Sequence, residues 1–95
     1  MLKATINITH CKSLNDIHEE IKTALNLPSY YGKNLSALWD CLTGHIDYPI
    51  TISIIGLDQI QQPLLTDALE ILKVFLCAEE EIPEIHIITH RRDQL

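Results

Sequence analysis

The sequence is poor in cysteine, in cationic residues and in long apolar runs. Its three cysteines, Cys11, Cys41 and Cys77, are an odd number without CxxC spacing, which argues against a disulfide framework or a structural zinc site. No apolar run approaches the ~20 residues of a membrane span, and residues 1–7 lack the apolar stretch of a signal peptide. These absences predict a cytoplasmic protein with no membrane segment.

Cationic side chains are outnumbered, with 7 Lys and Arg against 13 Asp and Glu and a net charge of −6. A basic face is the usual footprint of nucleic-acid binding, so no direct contact with nucleic acid is expected. The acidity suits a basic protein partner, because opposite fields speed encounter, although it also serves solubility. The length of 95 residues, of which 46% are apolar, predicts one globular domain spanning residues 1–95.

Hydrophobic periodicity predicts the order β-α-α-β-(α)-α-β. Strands are expected at 2–8, 50–55 and 85–88, and a polar tail at 91–95. Ser13 and Asn34 are the expected N-caps of the first two helices, which end near Asn26 and Gly44. Segment 57–62 is ambiguous, and the last helix runs from about Pro63 to about Glu80. The predicted fold is α/β, a three-stranded parallel sheet flanked by three to four helices with right-handed connections.

Apolar residues spaced three and four apart predict which helix faces enter the core. In the first helix these are Leu14, Ile17, Ile21 and Leu25; in the second Leu35, Leu38, Leu42 and, at the edge, Trp39; in the last Leu65, Leu69, Leu72 and Leu76, helped by Ala68 and Phe75.

The opposite side of the second helix carries small and acidic residues. At 100° per residue, Ser36, Asp40, Thr43 and Gly44 face away from the apolar side. Tyr30 and Tyr31 precede this helix, and Asp47 and Tyr48 follow it. Aromatic side chains in loops are typical interface anchors, and an outward carboxylate can mimic a phosphate. The pattern indicates a binding patch, although it also fits packed rings beside an ordinary surface acid.

Two chemical alternatives can be drawn from the remaining residues. Cys41 and His45 are four apart, the helical spacing of a thiolate–imidazole pair, but no third group that would orient the imidazole is evident. His10, Cys11, His86 and His90 could gather around a metal only if the first and third strands were adjacent. Residues four apart in a strand lie ~13 Å apart, so a shared metal site is not expected.

One continuous run is specific enough to suggest a family. It reads Pro28-x-Tyr30-Tyr31-Gly32-x-Asn34-Leu35-x-Ala37-Leu38-Trp39-Asp40-Cys41-Leu42-Thr43-Gly44, followed by Tyr48-Pro49. This run closely resembles the barstar family of intracellular ribonuclease inhibitors. A weaker similarity extends over nearly the whole chain, including Ser13, Asp16 and His18 in the first helix and Val74-Phe75 in the last.

The resemblance implies an inhibitor that inserts its second helix and the preceding loop into a nuclease active site, with no catalysis, cofactor or metal of its own. Asp40 would occupy the pocket for the RNA phosphate and pair with the nuclease's arginines and catalytic histidine, on which Tyr30 would stack. The further residues expected at the interface are Tyr31, Asn34, Ser36, Trp39, Thr43, Gly44, His45, Asp47 and Cys77. The implied partner is a basic extracellular or toxin ribonuclease, bound 1:1 by a monomeric inhibitor.

Several positions depart from the family pattern. Ser36 and Cys77 stand where the family has an aspartate and a glutamate, and His45 stands where it has a tryptophan. Asp47 keeps an acid where the family has glutamate. Charges at the rim of an interface mostly set association rate and partner choice. The departures therefore leave open a second reading, a protein-interaction or regulatory module with the same fold that binds a partner other than a nuclease.

Overall fold

A computed structural model describes residues 2–90, and the tail predicted at 91–95 lies outside this range. The elements are β1 (Leu2–Asn7), α1 (Leu14–Ala24), α2 (Leu35–Gly44), β2 (Ile50–Ile55), a 3₁₀ turn (Leu57–Gln59), α3 (Leu64–Glu81) and β3 (Ile85–His90). The order is the predicted one, and the 3₁₀ turn accounts for the ambiguous segment. No helix within residues 2–90 is long and apolar enough to cross a membrane.

The three strands form a parallel sheet in the order β1-β2-β3, with β2 in the centre. Leu2, Ile50 and Ile85 lie in register at one end of the sheet. Both crossovers advance in the same direction, and one face of the sheet is covered by α1, which packs against β1, and by α3, which packs against β3 and α2. The opposite face leaves Lys3 and His86 exposed. The predicted three-stranded parallel α/β fold is confirmed.

The sheet order also bears on the metal alternative. That alternative required the first and third strands to be neighbours, but β2 separates them. Over the part of the chain that the structure describes, no group of three or more His, Cys, Asp or Glu side chains could hold a metal ion.

The core lies between the sheet and the helices. Ile52 of β2 is fully buried, and so are Ile17 and Ile21 of α1, as their spacing predicts, whereas the assignment of Leu14 to the core was wrong because it is 39% exposed. His18, the polar residue next to Ile17, is buried with them. A buried imidazole needs a polar partner, and the one it finds lies in the candidate site.

Helix α3 is rotated from the predicted orientation. Its buried residues are Ala68 and Phe75, as predicted, together with Ile71 and Ala78, and Leu65 and Leu72 pack half-buried against the core. Leu69 and Leu76, which the spacing assigned to the core, are 45% and 44% exposed. The physical reason is that α3 is apolar around most of its circumference, so periodicity alone offers two stripes. The stripe with two alanines allows the closer approach to the sheet.

Candidate functional site

The start of α2 is fixed by a local hydrogen-bond pair. Asn34 has an extended N-cap conformation, and its Oδ1 accepts from the Ala37 N–H at 2.7 Å. Its Nδ2 donates to the Gly32 carbonyl at 3.2 Å. Asn34, predicted at the interface, therefore uses both ends of its amide to join the loop to the helix.

Helix α2 divides into a buried and an exposed side. Leu38 and Leu42 are fully buried, whereas the side chains at 36, 40 and 43 are exposed, as helical geometry predicts. Trp39 is half-buried at the boundary. Leu35 is exposed, so its assignment to the core was wrong; it lies in the first turn, beyond the edge of the packed face.

Hydrogen bonds from the last turn of α2 and from the segment that follows it satisfy carbonyl groups at the end of the helix. The Tyr48 hydroxyl donates to the Leu42 carbonyl at 2.5 Å, and the His45 N–H donates to the Cys41 carbonyl at 3.0 Å. The Thr43 hydroxyl donates to the Trp39 carbonyl at 2.8 Å. These bonds occupy carbonyls at the helix end and hold the chain against it.

The two tyrosines before α2 have opposite environments. Tyr30 is 74% exposed, whereas Tyr31 is 6% exposed. The Tyr31 hydroxyl and His18 Nδ1 lie 2.7 Å apart. Burial, and secondarily the charge of Lys33, lowers the pKa of His18, while burial, with the Cys41 thiol adding to it, raises the pKa of Tyr31. A neutral imidazole and a protonated phenol thus share one hydrogen bond, and Tyr31 anchors the loop that displays Tyr30.

Lys33 ties the same loop to α1. Its ammonium group donates to the Glu19 carboxylate and, at 3.3 Å, to Asn15 Oδ1. The hydrogen bond from Lys33, followed by its charge, lowers the pKa of Glu19. The positive charge of Lys33 is thereby paired with Glu19 of α1.

Asp40 stands between two surface grooves. One, the α2–α3 groove, encloses about 700 Å³ and the other, the tyrosine groove, about 370 Å³. The α2–α3 groove is lined by Leu35, Ser36, Trp39, Asp40, Glu70, Lys73, Val74 and Cys77. The tyrosine groove is lined by Pro28, Tyr30, Tyr31, Gly32, Ala37, Asp40, Cys41, Gly44 and His45. Asp40 is the residue common to both, so its carboxylate lies on the ridge that separates them.

The exposed carboxylate of Asp40 is unpaired. Among residues 2–90 it makes neither a hydrogen bond nor an ion pair. Lys73, on the far wall of the α2–α3 groove, is the cation that shares a groove with it. An outward acid between two concave surfaces can accept charge-assisted hydrogen bonds from a partner's cations.

The remaining predicted site residues are only partly gathered around Asp40. Cys77 of α3 joins it in the α2–α3 groove, and His45 joins it in the tyrosine groove. Thr43 is exposed on α2 but lines neither groove. Asp47 lies in a separate depression beside Lys3 and Ile50.

The thiolate alternative is disfavoured by the environment of Cys41. Its side chain is half-buried, and burial, followed by the charge of Asp40, raises its pKa. A nucleophilic cysteine needs a lowered pKa. The pairing of Cys41 with His45 therefore lacks the electrostatics that such chemistry requires.

Similarity to known proteins extends over nearly the whole chain and is not confined to the candidate site. The family described as Barstar (barnase inhibitor) matches residues 1–93. The chain belongs to the barstar family. A curated relative, "Putative ribonuclease inhibitor YrdF" of Bacillus subtilis (strain 168), is 36% identical over 84 residues, which cover 88% of this chain and 92% of the relative. The family resemblance seen in the sequence is confirmed, and the roles of individual residues in this barstar-family chain stay predictions.

Proposed function

We propose that this protein inhibits a ribonuclease by covering its active site with α2 and the preceding loop, and that Asp40 takes the place of an RNA phosphate. The family's description and the relative's name support the inhibitory role. The observation that carries the mechanism is the unpaired, exposed Asp40 on the ridge between two grooves. Inhibition of this kind requires no catalysis, cofactor or metal from the inhibitor.

The chemistry of the two surfaces matches. A ribonuclease binds RNA phosphate with cationic groups in its cleft, and a carboxylate accepts charge-assisted hydrogen bonds from the same groups. Among residues 2–90 Asp40 has no ion-pair partner, so no ion pair with them has to break when its carboxylate enters the cleft. Tyr30 adds a displayed aromatic ring at the side of the tyrosine groove, where it can stack on a partner's ring.

The contact surface is supported from behind by the chain's own bonds. Tyr31, Asn34 and Lys33 hold the loop against α1 and α2 through their hydrogen bonds. A surface fixed before binding loses little conformational freedom on association, which favours affinity. We therefore assign Tyr31 and Asn34 to positioning the loop, and Tyr30 and Asp40 to contact with the nuclease.

The proposed partner is a basic ribonuclease that is secreted or delivered as a toxin, bound by one copy of this chain per nuclease. A net charge of −6 favours approach of a cationic enzyme. A cell that makes or receives such an enzyme needs an inhibitor in its cytoplasm, where we place this protein.

A second candidate function is the regulation of a protein other than a nuclease. It is favoured by Ser36 and Cys77, which place uncharged side chains in the α2–α3 groove where the family pattern has acids. In that case Asp40 would still be the central contact with the partner, but the residues at the rim of the interface would differ from those of the family pattern.

Inhibition assays against a panel of basic ribonucleases test the proposal. Asp40→Asn keeps the shape and removes the charge, and we expect it to weaken inhibition by at least about 30-fold, the loss of a hot-spot contact. Asp58→Asn is the matched control, because Asp58 is an exposed acid on the 3₁₀ turn, outside both grooves. Equal inhibition by wild type and Asp40→Asn would overturn the role of Asp40. A protein that inhibits no ribonuclease but binds another protein would favour the second candidate.

A further inference from the structure

Helix α3 carries a second apolar stripe beside its buried face, and the core covers this stripe only in part. We call Leu65, Leu69, Leu72 and Leu76 the leucine stripe. Leu69 and Leu76 are 45% and 44% exposed, and the other two are half-buried. The intervals of four, three and four residues are those of the a and d positions along a coiled-coil seam.

The leucine stripe lies apart from the proposed nuclease-binding face. Residues of α3 that line the α2–α3 groove are Glu70, Lys73, Val74 and Cys77. At 100° per residue their mean direction is roughly 120° around the helix from the stripe. The two surfaces can therefore be occupied at the same time.

The neighbouring sheet edge is partly blocked to an added strand. Glu79 lies on the β3 side of α3, and its carboxylate accepts from the Ile87 N–H at 2.7 Å. An edge strand whose main-chain donor is occupied is a poor template for strand pairing. Strand addition next to the leucine stripe is therefore disfavoured, whereas a second helix can cover the stripe by packing side chains against it.

We propose that the leucine stripe is a self-association surface, on which α3 of a second copy packs antiparallel. The stripe is symmetric about its midpoint: Leu65 and Leu76 are equally far from it, and so are Leu69 and Leu72. A twofold axis through that point places Leu65 against Leu76 of the second copy and Leu69 against its Leu72. The same patch then serves both copies, as a closed dimer requires.

Charge selects the antiparallel direction. The last turn of α3 holds Glu79, Glu80 and Glu81 and no basic residue, at the end of the helix dipole that repels anions. Parallel packing would set two such acidic turns side by side. Antiparallel packing carries each towards the start of the other α3, which is the positive end of that helix dipole. Asp67, in that first turn, points away from the leucine stripe by helical geometry.

The length of the leucine stripe determines how strong the proposed dimer should be. From Leu65 to Leu76 it extends only about 16 Å at 1.5 Å per residue. That is too short to bury the roughly 800 Å² per partner of a standard interface, so the dimer should form only at high concentration. Each copy also carries a net charge of −6, and salt should strengthen the association by screening this repulsion.

Sedimentation analysis over a range of concentrations tests the proposal. Wild type should pass from monomer to dimer, and Leu69→Lys and Leu76→Lys should each weaken dimerisation at least about tenfold. Ile88→Lys is the control, because Ile88 is 42% exposed on the uncovered sheet face and receives the same added charge. Circular dichroism melting curves verify that each variant is folded. A wild type that stays monomeric to about 1 mM, or lysine variants that dimerise normally, would overturn the proposal.

Disulfide trapping tests the direction, in a background with Cys41→Ala and Cys77→Ser. Antiparallel packing predicts a mixed disulfide when Leu65→Cys and Leu76→Cys proteins are combined, and little when either is oxidised alone. Disulfides within each single variant would contradict the antiparallel arrangement. Ribonuclease inhibition by Leu69→Lys separates this proposal from the previous one: it should equal that of wild type, and its loss would assign the leucine stripe to the nuclease instead.

Discussion

At the scale of single residues, the neighbouring tyrosines before α2 have different roles. Tyr30 and Tyr31 are adjacent, yet one ring is in solvent and the other is bonded to a buried histidine. Adjacent residues in an irregular loop commonly point to different sides, so a buried ring can hold an exposed one in place. The structure thus adds His18, a residue of α1, to the support of the loop before α2.

Tyr31→Phe tests this support. The ring remains, but His18 Nδ1 loses its hydrogen-bond partner, and leaving a buried polar group unsatisfied costs about 1–3 kcal/mol. Denaturant unfolding should show a loss of stability in this range, and nuclease affinity should fall less than for Asp40→Asn. Tyr30→Phe is the control and should leave stability unchanged. Equal stability of wild type and Tyr31→Phe would contradict the supporting role.

The pH dependence of stability should report on His18. Its pKa is lowered in the folded protein by burial and by Lys33, so below the ordinary value of about 6.5 the unfolded chain binds a proton that the folded chain does not. The free energy of unfolding should therefore fall as the pH drops below about 6.5, and level off below the folded-state pKa. His18→Gln should remove this slope, whereas replacement of exposed His86 by Gln should keep it. A slope that survives in His18→Gln would assign it to other groups.

At the scale of elements, much of the architecture could be predicted because local signals were strong. Ser13 accepts from the Asp16 N–H at 3.1 Å and Asn34 from Ala37, so both predicted N-caps act as such. The outward position of Asp40 follows from the apolar spacing of Leu38 and Leu42 on α2. The apolar pattern of α3 fitted two faces, and packing against the sheet chose between them.

The same rotation of α3 explains what could not be predicted at the site. Glu70 and Lys73 line the α2–α3 groove only because the alanine-containing side of α3 turns towards the sheet. The pairing of His18 with Tyr31 was also beyond the sequence, since it joins residues 13 apart across two elements. No helical or strand spacing relates such positions, and their contact depends on how α1 packs beside the loop.

A matched pair of leucine substitutions tests the assigned helix faces. Leu42→Ala removes a fully buried side chain of α2 and should cost about 2–5 kcal/mol of stability. Leu69→Ala makes the same change at a half-exposed position of α3 and should cost well under half as much. Both are measured by urea unfolding at low protein concentration, where self-association does not contribute. Equal losses would place Leu69 in the core and contradict the orientation of α3.

At the scale of the whole molecule, one net charge acts on two surfaces in opposite ways. If the two proposals hold, the charge of −6 attracts a basic nuclease to the face that holds Asp40 and repels a second copy at the leucine stripe. Fields of this kind act over a Debye length of about 8 Å at physiological salt. Ionic strength would then shift the balance between the proposed dimer and the proposed nuclease complex without altering either contact surface.

The salt dependence of nuclease binding tests whether the net charge of the chain speeds association. Raising the ionic strength from 50 to 500 mM screens the steering field, and we expect the association rate constant to fall by about tenfold or more. The dissociation rate constant should change far less, because the contacts around Asp40 are shielded from solvent once the complex has formed. Stopped-flow mixing at protein concentrations below dimerisation measures the first and surface plasmon resonance the second. Asp58→Asn, which alters the net charge by one unit outside the site, should lower the association rate only slightly and keep the slope with salt. An association rate that does not respond to ionic strength would show that the acidic charge of this chain plays no part in capture.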